Sequence, residues 1–313
     1  MDATEYSLAL MPKRYGYPVY LPSPPTDLPE DIWRSGTQIG DVGVLCSDGS
    51  FDPIFNICRP EGHPANQFGV PRGFVALALG PKNIKAQALF HPPGAVISNW
   101  SRSSCVTFVD EGLGNWKETA LLHLPHGAST QDLRNSQTFR DVAFKHARNW
   151  YSFVQDNLQR IVGNSDLYLV TGVTKSKSWS IRTVENLSDE PLGGVNMEST
   201  IVSGPYHRPG EELWENQTVF IRGFKISVRS SSSGVLPEIV DCEVTEDKNL
   251  SEQSNSHPSN VINQHILDSD PTAMVAVTHD EEWTAVLEET DLQVPDREDL
   301  IRRIYERSNG MFG

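Results

Sequence analysis

The segment from Asp132 to Val184 constrains the fold more than any other part of the chain. Its first half repeats apolar residues every three or four positions, which predicts an amphipathic helix over about 136–161. The residues predicted to face inward are Phe139, Val142, Ala143, His146, Trp150, Phe153, Val154, Asn157, Leu158 and Ile161. The apolar run 167–170 then predicts a strand that is buried on both faces and ends at Gly172.

Turn-forming residues divide the rest of the chain into short segments. There are 23 glycines and 21 prolines among 313 residues, which indicates many turns and a β-rich protein rather than a helical bundle. Asp48-Gly49 between two apolar runs predicts a tight hairpin, and Gly223 inside the run 216–230 predicts a β-bulge. Further strands are predicted at 84–90, 95–100, 105–110, 119–124, 178–185 and 199–206.

These segments predict an α+β fold with four regions. Residues 1–35 are rich in proline and tyrosine and are expected to form an extended arm. Residues 36–247 are predicted to form a mostly antiparallel β body with one long central helix. Residues 248–260 have the polar composition of a linker. Residues 261–313 are predicted to form a small, acidic, α-rich C-terminal appendage.

The C-terminal region contains signals for helix starts. Thr278 and Glu281 have the spacing of a capping box, and Asp296 is predicted to cap the helix that follows it. We expect apolar docking of this region, because its amphipathic helices would otherwise leave their apolar faces in water. The docking residues are expected to be Val261, Ile266, Trp283, Leu287, Leu300 and Ile304.

One part of the chain carries the whole net charge of −15. The segment Glu238–Asp299 contains 17 acidic and 2 basic residues. The rest of the chain contains 24 acidic and 24 basic residues and is therefore neutral. A solvated acidic face explains this pattern, and a regulatory tail that covers the mildly basic segment 134–182 is the alternative. No basic block is long enough to predict binding to nucleic acid or to a membrane surface.

The cysteines and the N-terminus favour a cytoplasmic protein. Cys46, Cys58, Cys105 and Cys242 form no Cys-x-x-Cys pair. The N-terminus lacks the apolar core of a signal peptide, and no apolar run approaches the roughly 20 residues that span a membrane. We therefore expect four reduced thiols and no disulfide.

Six sequence blocks occur in order along the chain: IGDVGVLCSDGSFDPIFNIC (39–58), LPHGASTQDL (124–133), LYLVTGVTKSKSW (167–179), NQTVFIRGFKI (216–226), HPSNVINQHIL (257–267) and VAVTHDEEW (275–283). In combination they resemble a large family of uncharacterised proteins from mushroom-forming (basidiomycete) fungi. The resemblance covers most of the chain. It implies a fungal source, a cytoplasmic location and a shared architecture, and it brings no assigned activity and no catalytic residues.

The polar segment after the buried strand is the candidate ligand site. Open sheets bind ligands just beyond their strand ends, and a bulge at Gly223 would turn nearby bases toward the same cleft. The full spacing of a phosphate-binding loop is absent, so a hairpin turn with its lysines in solvent is the alternative. The predicted ligand-binding residues are Thr171, Gly172, Lys175, Lys177, Arg222 and Lys225.

The histidines do not have the spacing of a metal site. His123, His126 and His207 are possible ligands by residue type, but neither His-Glu-x-x-His nor a Cys/His zinc pattern occurs. No metal and no cofactor are therefore predicted. His146 on the inner face of the long helix is expected to be a core histidine rather than a general base.

Three classes of function are compatible with these observations. The leading hypothesis is a cytosolic recognition or regulatory module without catalysis, which binds a small anionic ligand or a protein. The alternative is an enzyme of hydrolase or transferase type that acts on an anionic small molecule. A carbohydrate-binding or defence protein is the third hypothesis. Titratable groups that converge in a deep pocket would favour the enzyme, whereas an exposed apolar patch would favour the binding module.

Overall fold

The computed structural model describes residues 2–98, 118–186, 197–205, 212–229 and 257–310. Its helices in these ranges are α1 Ala3–Leu10, α2 Glu30–Ser35, α3 Gln137–Ser152, α4 Pro258–Ser269, α5 Asp280–Thr284 and α6 Arg297–Gly310. Its strands are β1 Tyr17–Pro18, β2 Asp41–Leu45, β3 Phe51–Asn56, β4 Ile84–His91, β5 Ala95–Ser98, β6 Glu118–Leu124, β7 Ala128–Leu133, β8 Leu167–Ser176, β9 Trp179–Asn186, β10 Met197–Gly204, β11 Gln217–Val228 and β12 Val275–His279. Within the same ranges, no helix has the length and apolar character needed to cross a membrane.

The strands form two antiparallel sheets, which confirms the predicted α+β class. In the larger sheet, β8 pairs with β11 on one edge, and on its other edge with β2 and then with β7. Along its outer edge β11 pairs with β1 and β12, while β3 extends the sheet beside β2 and β4 extends it beside β7. The second sheet has the order β10-β9-β6-β5.

Helix α3 is the predicted long central helix and packs against the larger sheet. Phe139 and Trp150 are buried in the main hydrophobic cluster, as the helical spacing predicts. The prediction fails at the C-terminal end, where Ile161 is 96% exposed. The reason is that α3 passes into one π-helical turn, Phe153–Asn157, after which Gln159 adopts a left-handed φ of 52° and the chain leaves the helix.

Strand β8 is buried along nearly its whole length, as predicted for 167–170. Gly172 does not end the strand, because β7 and β11 both pair with β8 as far as Ser176. The hairpin at Asp48-Gly49 is confirmed, with Gly49 at a φ of 80°. A register shift between Arg222 and Gly223 confirms the bulge in β11. The strand predicted at 105–110 lies outside the described residues.

The prediction of an extended arm over residues 1–35 is wrong at both ends, where α1 and α2 (Glu30–Ser35) are helical. Helix α1 begins after Asp2, whose carboxylate accepts a hydrogen bond from the backbone N–H of Glu5 at 2.9 Å in a capping box. Tyr6 and Leu10 are fully buried against the second sheet, so α1 belongs to the core. The Asp2-x-x-Glu5 spacing was present in the sequence as a signal for this helix.

The C-terminal region docks through apolar side chains, as predicted. Trp283, Leu287 and Leu300 are buried in a cluster that also contains Met11 from the N-terminal segment. Strand β12 pairs with β11 over five residue pairs, so this α-rich region also contributes a strand to the larger sheet.

Two predicted boundaries in this region are corrected. Helix α4 begins at Pro258, so residues 258–260 of the predicted linker are helical, while 248–256 lie outside the described residues. Helix α5 is capped by His279 with Glu282 and not by Thr278, because β12 continues through Thr278.

Candidate functional site

The six predicted ligand residues do not form a loop. Thr171, Gly172 and Lys175 belong to β8, Arg222 and Lys225 belong to β11, and Lys177 lies in the turn between β8 and β9. Because β8 and β11 are antiparallel, Arg222 lies opposite Gly172. Lys225 lies opposite Tyr168, farther along the pair, so the predicted residues do not converge on one cleft.

Arg222 is held by groups of the protein itself. Its guanidinium pairs with the carboxylate of Asp132 and donates to the carbonyl of Tyr15 at 2.7 Å. It also donates to the hydroxyl oxygens of Thr130 at 2.8 Å and Thr174 at 3.0 Å. These bonds occupy the fork of donors that would otherwise bind an anion.

Gly172 provides the space for this ion pair. A Cβ atom at Gly172 would lie 2.8 Å from Nε of Arg222 and would also clash with the Asp132 carboxylate. Thr171, its buried neighbour, donates through Oγ1 to the carbonyl of Arg222 at 3.1 Å. Both residues therefore support the strand pair instead of facing a ligand.

The three predicted lysines have different environments. Lys175 donates through Nζ to the carbonyl of Ser35 at 2.6 Å, and Lys225 donates to the carbonyl of Ser165 at 2.9 Å. Burial lowers the pKa of each of these lysines to about 8, against the opposing effect of nearby carboxylates. Only Lys177 is exposed, so a single one of the three lysines reaches solvent freely.

A buried polar cluster around Asp280 was not predicted. The Asp280 side chain accepts hydrogen bonds from the hydroxyl of Tyr168, from the backbone N–H of Gly223 at 3.1 Å and from Nε1 of Trp283 at 3.1 Å. The hydroxyl of Ser259 adds a fourth bond at 3.3 Å. Burial raises the pKa of this carboxyl to about 6, with the hydrogen bonds acting in the opposite direction.

Histidines cap two helices beside this cluster. Nδ1 of His257 accepts the backbone N–H of Ser259 at 3.2 Å, and Nδ1 of His279 accepts that of Glu281 at 3.1 Å. An accepting Nδ1 leaves the proton on Nε2, so the neutral Nε2–H tautomer follows for both rings. Nε2 of His279 then donates to the hydroxyl of Thr171 at 2.7 Å. In the sequence, each of these caps is a histidine directly before the first helical residue, and its ring accepts the N–H of the residue two positions later.

These two networks join the N-terminal segment, the central strands and the C-terminal helices. Their groups are almost all buried, and most of their donors and acceptors are bonded inside the protein. We interpret them as structural, because a site that acts on a substrate must leave groups available to it.

Strand β4 differs from its neighbours because its side chains are exposed on both faces. Residues 85–90 are all exposed, and Leu89 and Phe90 are 62% and 36% exposed. The regular ladder with β7 covers Ile84–Gln87, after which a bulge follows and Leu89 adopts a left-handed φ of 51°. Sequence reasoning predicted the strand but did not identify its exposure.

A pocket of about 340 Å³ opens beside β4. Its lining residues are Ile39, Cys58, Arg59, Leu79, Gly80, Pro81, Ile84, Ala86 and Gln131. Most of these side chains are apolar, and Arg59 supplies one positive charge. Burial raises the pKa of the Cys58 thiol to about 12, which keeps it protonated and makes it a poor nucleophile. An apolar pocket with one positive charge beside an exposed strand is a candidate binding site.

Of the three histidines weighed as metal ligands, the structure describes His123 and His126. His126 is exposed, with Nδ1 at 2.8 Å from the hydroxyl of Ser178, and His207 lies outside the described residues. Among the residues that the structure describes, no three histidine, cysteine or acidic side chains are grouped as metal ligands. His146 is partly exposed rather than a core residue, and burial lowers its pKa.

Comparison of the chain with protein-family models, with curated proteins and with solved structures finds no match. The function of this chain is therefore inferred from its own residues and their geometry.

Proposed function

We propose that this protein is a non-catalytic recognition module that binds a protein partner at β4 and the adjoining pocket. The observation that carries the proposal is the exposed strand β4, which has the pocket at Ile84 and Ala86 and the exposed apolar side chains of Leu89 and Phe90 at its other end. An exposed apolar patch of this kind is typical of an interaction site.

The internal bonding of the polar candidates supports this choice over the alternatives. Arg222, Lys175 and Lys225 already donate to protein oxygens, so an anionic substrate would have to displace those bonds. Displacing a buried hydrogen bond costs roughly 1–3 kcal/mol per unsatisfied group. A small anionic ligand at this position is therefore less favoured than a protein partner at β4.

A cytoplasmic location is part of the proposal. Cys46 and Cys58 are free thiols, which fits a reducing compartment. The resemblance to proteins of mushroom-forming fungi gives the same expectation and remains a hypothesis about the source.

Selection from an unbiased peptide library tests the proposed function. We expect enrichment of peptides that bind the wild-type protein and lose binding in Ala86→Tyr, which fills the pocket from an exposed position. Phe144→Ser, which removes an exposed apolar side chain from α3, is the matched control and should bind as wild type does. If no peptide is enriched, or if the enriched peptides bind Ala86→Tyr equally well, the proposal is wrong.

A further inference from the structure

The outer edge of β4 has backbone groups that no other strand uses. In the described residues β4 pairs only with β7, and outside that ladder the backbone of residues 84–91 makes only the turn bond from the N–H of Ile84 to the carbonyl of Pro81. A free strand edge is a template for another strand. The bulge after Gln87 limits the regular part of this edge to Ile84–Gln87, so the strand that fits there is short.

The charged residues around this edge are mostly basic, and Asp132, which β7 places opposite Lys85, is already paired with Arg222. Although the chain carries a net charge of −15, no acidic residue occurs between Glu61 and Asp110. Lys82 and Lys85 lie before and within β4, and Arg59 lines the pocket. An acidic partner is therefore favoured at this edge by its charge.

The same charges argue against a second copy of the chain as the occupant. Two β4 edges placed together would bring the lysines of one copy close to those of the other. Like charges that face each other across a strand pair are destabilising, and Lys on an edge strand is a known protection against self-association.

The pocket lies where alternate side chains of an added strand would meet β4. Ile84 and Ala86 are two residues apart, so both face the same side of the sheet, and both line the pocket. An added strand would place alternate side chains over that side, where Ile39 and Leu79 offer apolar contacts. Arg59 on the same lining can pair with a carboxylate of the partner.

We propose that β4 binds an acidic, extended segment of a partner protein as an additional strand of the larger sheet. Main-chain hydrogen bonds to the edge supply affinity, and the pocket and the bases select apolar residues that alternate with carboxylates. This inference rests on the proposed function and specifies the chemistry of the partner.

Synthetic peptides test the inference directly. A capped peptide that alternates Val with Glu is compared with one that alternates Val with Lys, by fluorescence anisotropy at low salt. Two further Val-Glu peptides carry N-methyl groups on alternate residues. In one peptide the methyl groups block the backbone N–H groups of one strand edge, and in the other they block those of the opposite edge. Since only one edge of an added strand bonds to β4, one methylated peptide should lose affinity on the order of tenfold or more, and the other should not.

Variants of the protein locate the binding. Lys85→Glu should weaken binding of the Val-Glu peptide by roughly three- to tenfold, an effect that salt should reduce. Lys177→Glu makes the same charge change at an exposed lysine outside β4 and should leave binding unchanged. Ala86→Tyr should also weaken binding, and circular dichroism and thermal unfolding check that each variant is folded.

Three results would overturn the inference. The first is equal binding of the Val-Lys peptide, and the second is equal loss of affinity in both methylated peptides. The third is concentration-dependent dimerisation in sedimentation that Ala86→Tyr abolishes, which would assign the edge to a second copy. If the library selection still enriches peptides that require the pocket, only the acidic strand is wrong and the proposed function stands.

Discussion

Strands β8 and β4 flank the same strand, β7, yet they have opposite environments. β8 has neighbours along both edges and is buried almost throughout, whereas β4 has one neighbouring strand in the described chain and is exposed on both faces. In β8 and its partner β11, the side chains of Lys175, Arg222 and Lys225 are bonded to groups of the protein. In β4, the side chains of residues 85–90 are exposed, and only one edge pairs with another described strand. Polar residues in a central strand are thus poor evidence for a site, and an exposed edge is better evidence.

The largest expected effect lies on the buried side of this comparison. Trp150→Ala on α3 should lower the free energy of unfolding by roughly 3–5 kcal/mol, because it leaves a cavity beside Phe55. Phe144→Ala on the same helix removes a side chain that is 58% exposed. It should change the free energy of unfolding by less than about 0.5 kcal/mol. Urea denaturation of both variants measures the difference, and equal losses would show that α3 does not bury the assigned face.

The Asp280 cluster should give the next largest effect. Asp280→Ala leaves Tyr168, Trp283 and the N–H of Gly223 without their acceptor, which should cost about 3 kcal/mol in urea denaturation. Glu289→Ala, an exposed carboxylate in the same region, should be neutral within about 0.5 kcal/mol. A neutral Asp280→Ala would mean that these groups find other partners and that the cluster does not stabilise the fold.

The cap at His279 should make stability depend on pH. Burial, together with Arg222 and Arg140, lowers the pKa of His279 from 6.5 to about 4 in the folded protein. The unfolded chain binds the proton first, so this stabilisation is complete above pH 6.5 and is lost as the pH falls toward 4. The loss amounts to at most about 1.4 kcal/mol per pH unit.

His279→Asn tests this dependence, because Asn can also cap a helix but does not titrate. We expect the difference in unfolding free energy between wild type and His279→Asn to shrink or reverse between pH 6.5 and 4. Asp41 and Asp280, whose pKa values are raised to about 6 by burial, act in the opposite direction but are present in both proteins. A difference that is constant with pH would rule out a buried neutral His279.

The smallest effect is expected on the exposed side, at Leu89. A non-glycine residue with a φ of 51° is strained, and Asn tolerates this region better than Leu. Leu89→Asn should therefore raise the free energy of unfolding by up to about 1 kcal/mol, since the side chain removed is mostly exposed. Thermal unfolding measures this change, and a clear loss of stability would show that Leu89 is packed.

Periodicity and local chemistry in the sequence were sufficient to predict much of the fold. The spacing of Phe139 and Trp150 predicted the buried face of α3, and Asp48-Gly49 predicted the first hairpin. Gly223 predicted the bulge in β11, and Asp296 predicted the start of α6, where its carboxylate accepts the N–H of Asp299 at 2.9 Å. Each of these signals acts over a few residues, so no distant contact is needed to read it.

The candidate site was not predictable in the same way, because its features depend on distant pairing. Arg222 and Asp132 are 90 residues apart in sequence, and only the β7-β8-β11 arrangement brings them together. Lys175 and Lys225 likewise donate to carbonyls that are distant in sequence, those of Ser35 and Ser165, where the sequence pattern suggested an anion site.

The sequence by itself determined most of the helices, strands and turns, and it determined that the net negative charge is concentrated in residues 238–299. The tertiary structure alone decided which strand is covered. The alternation of residues 84–87 is compatible with a covered or an uncovered strand, because a strand's own sequence does not specify what packs against it. β8 became a buried centre and β4 an exposed edge because three strands pair with β8 and only one pairs with β4 among the described residues.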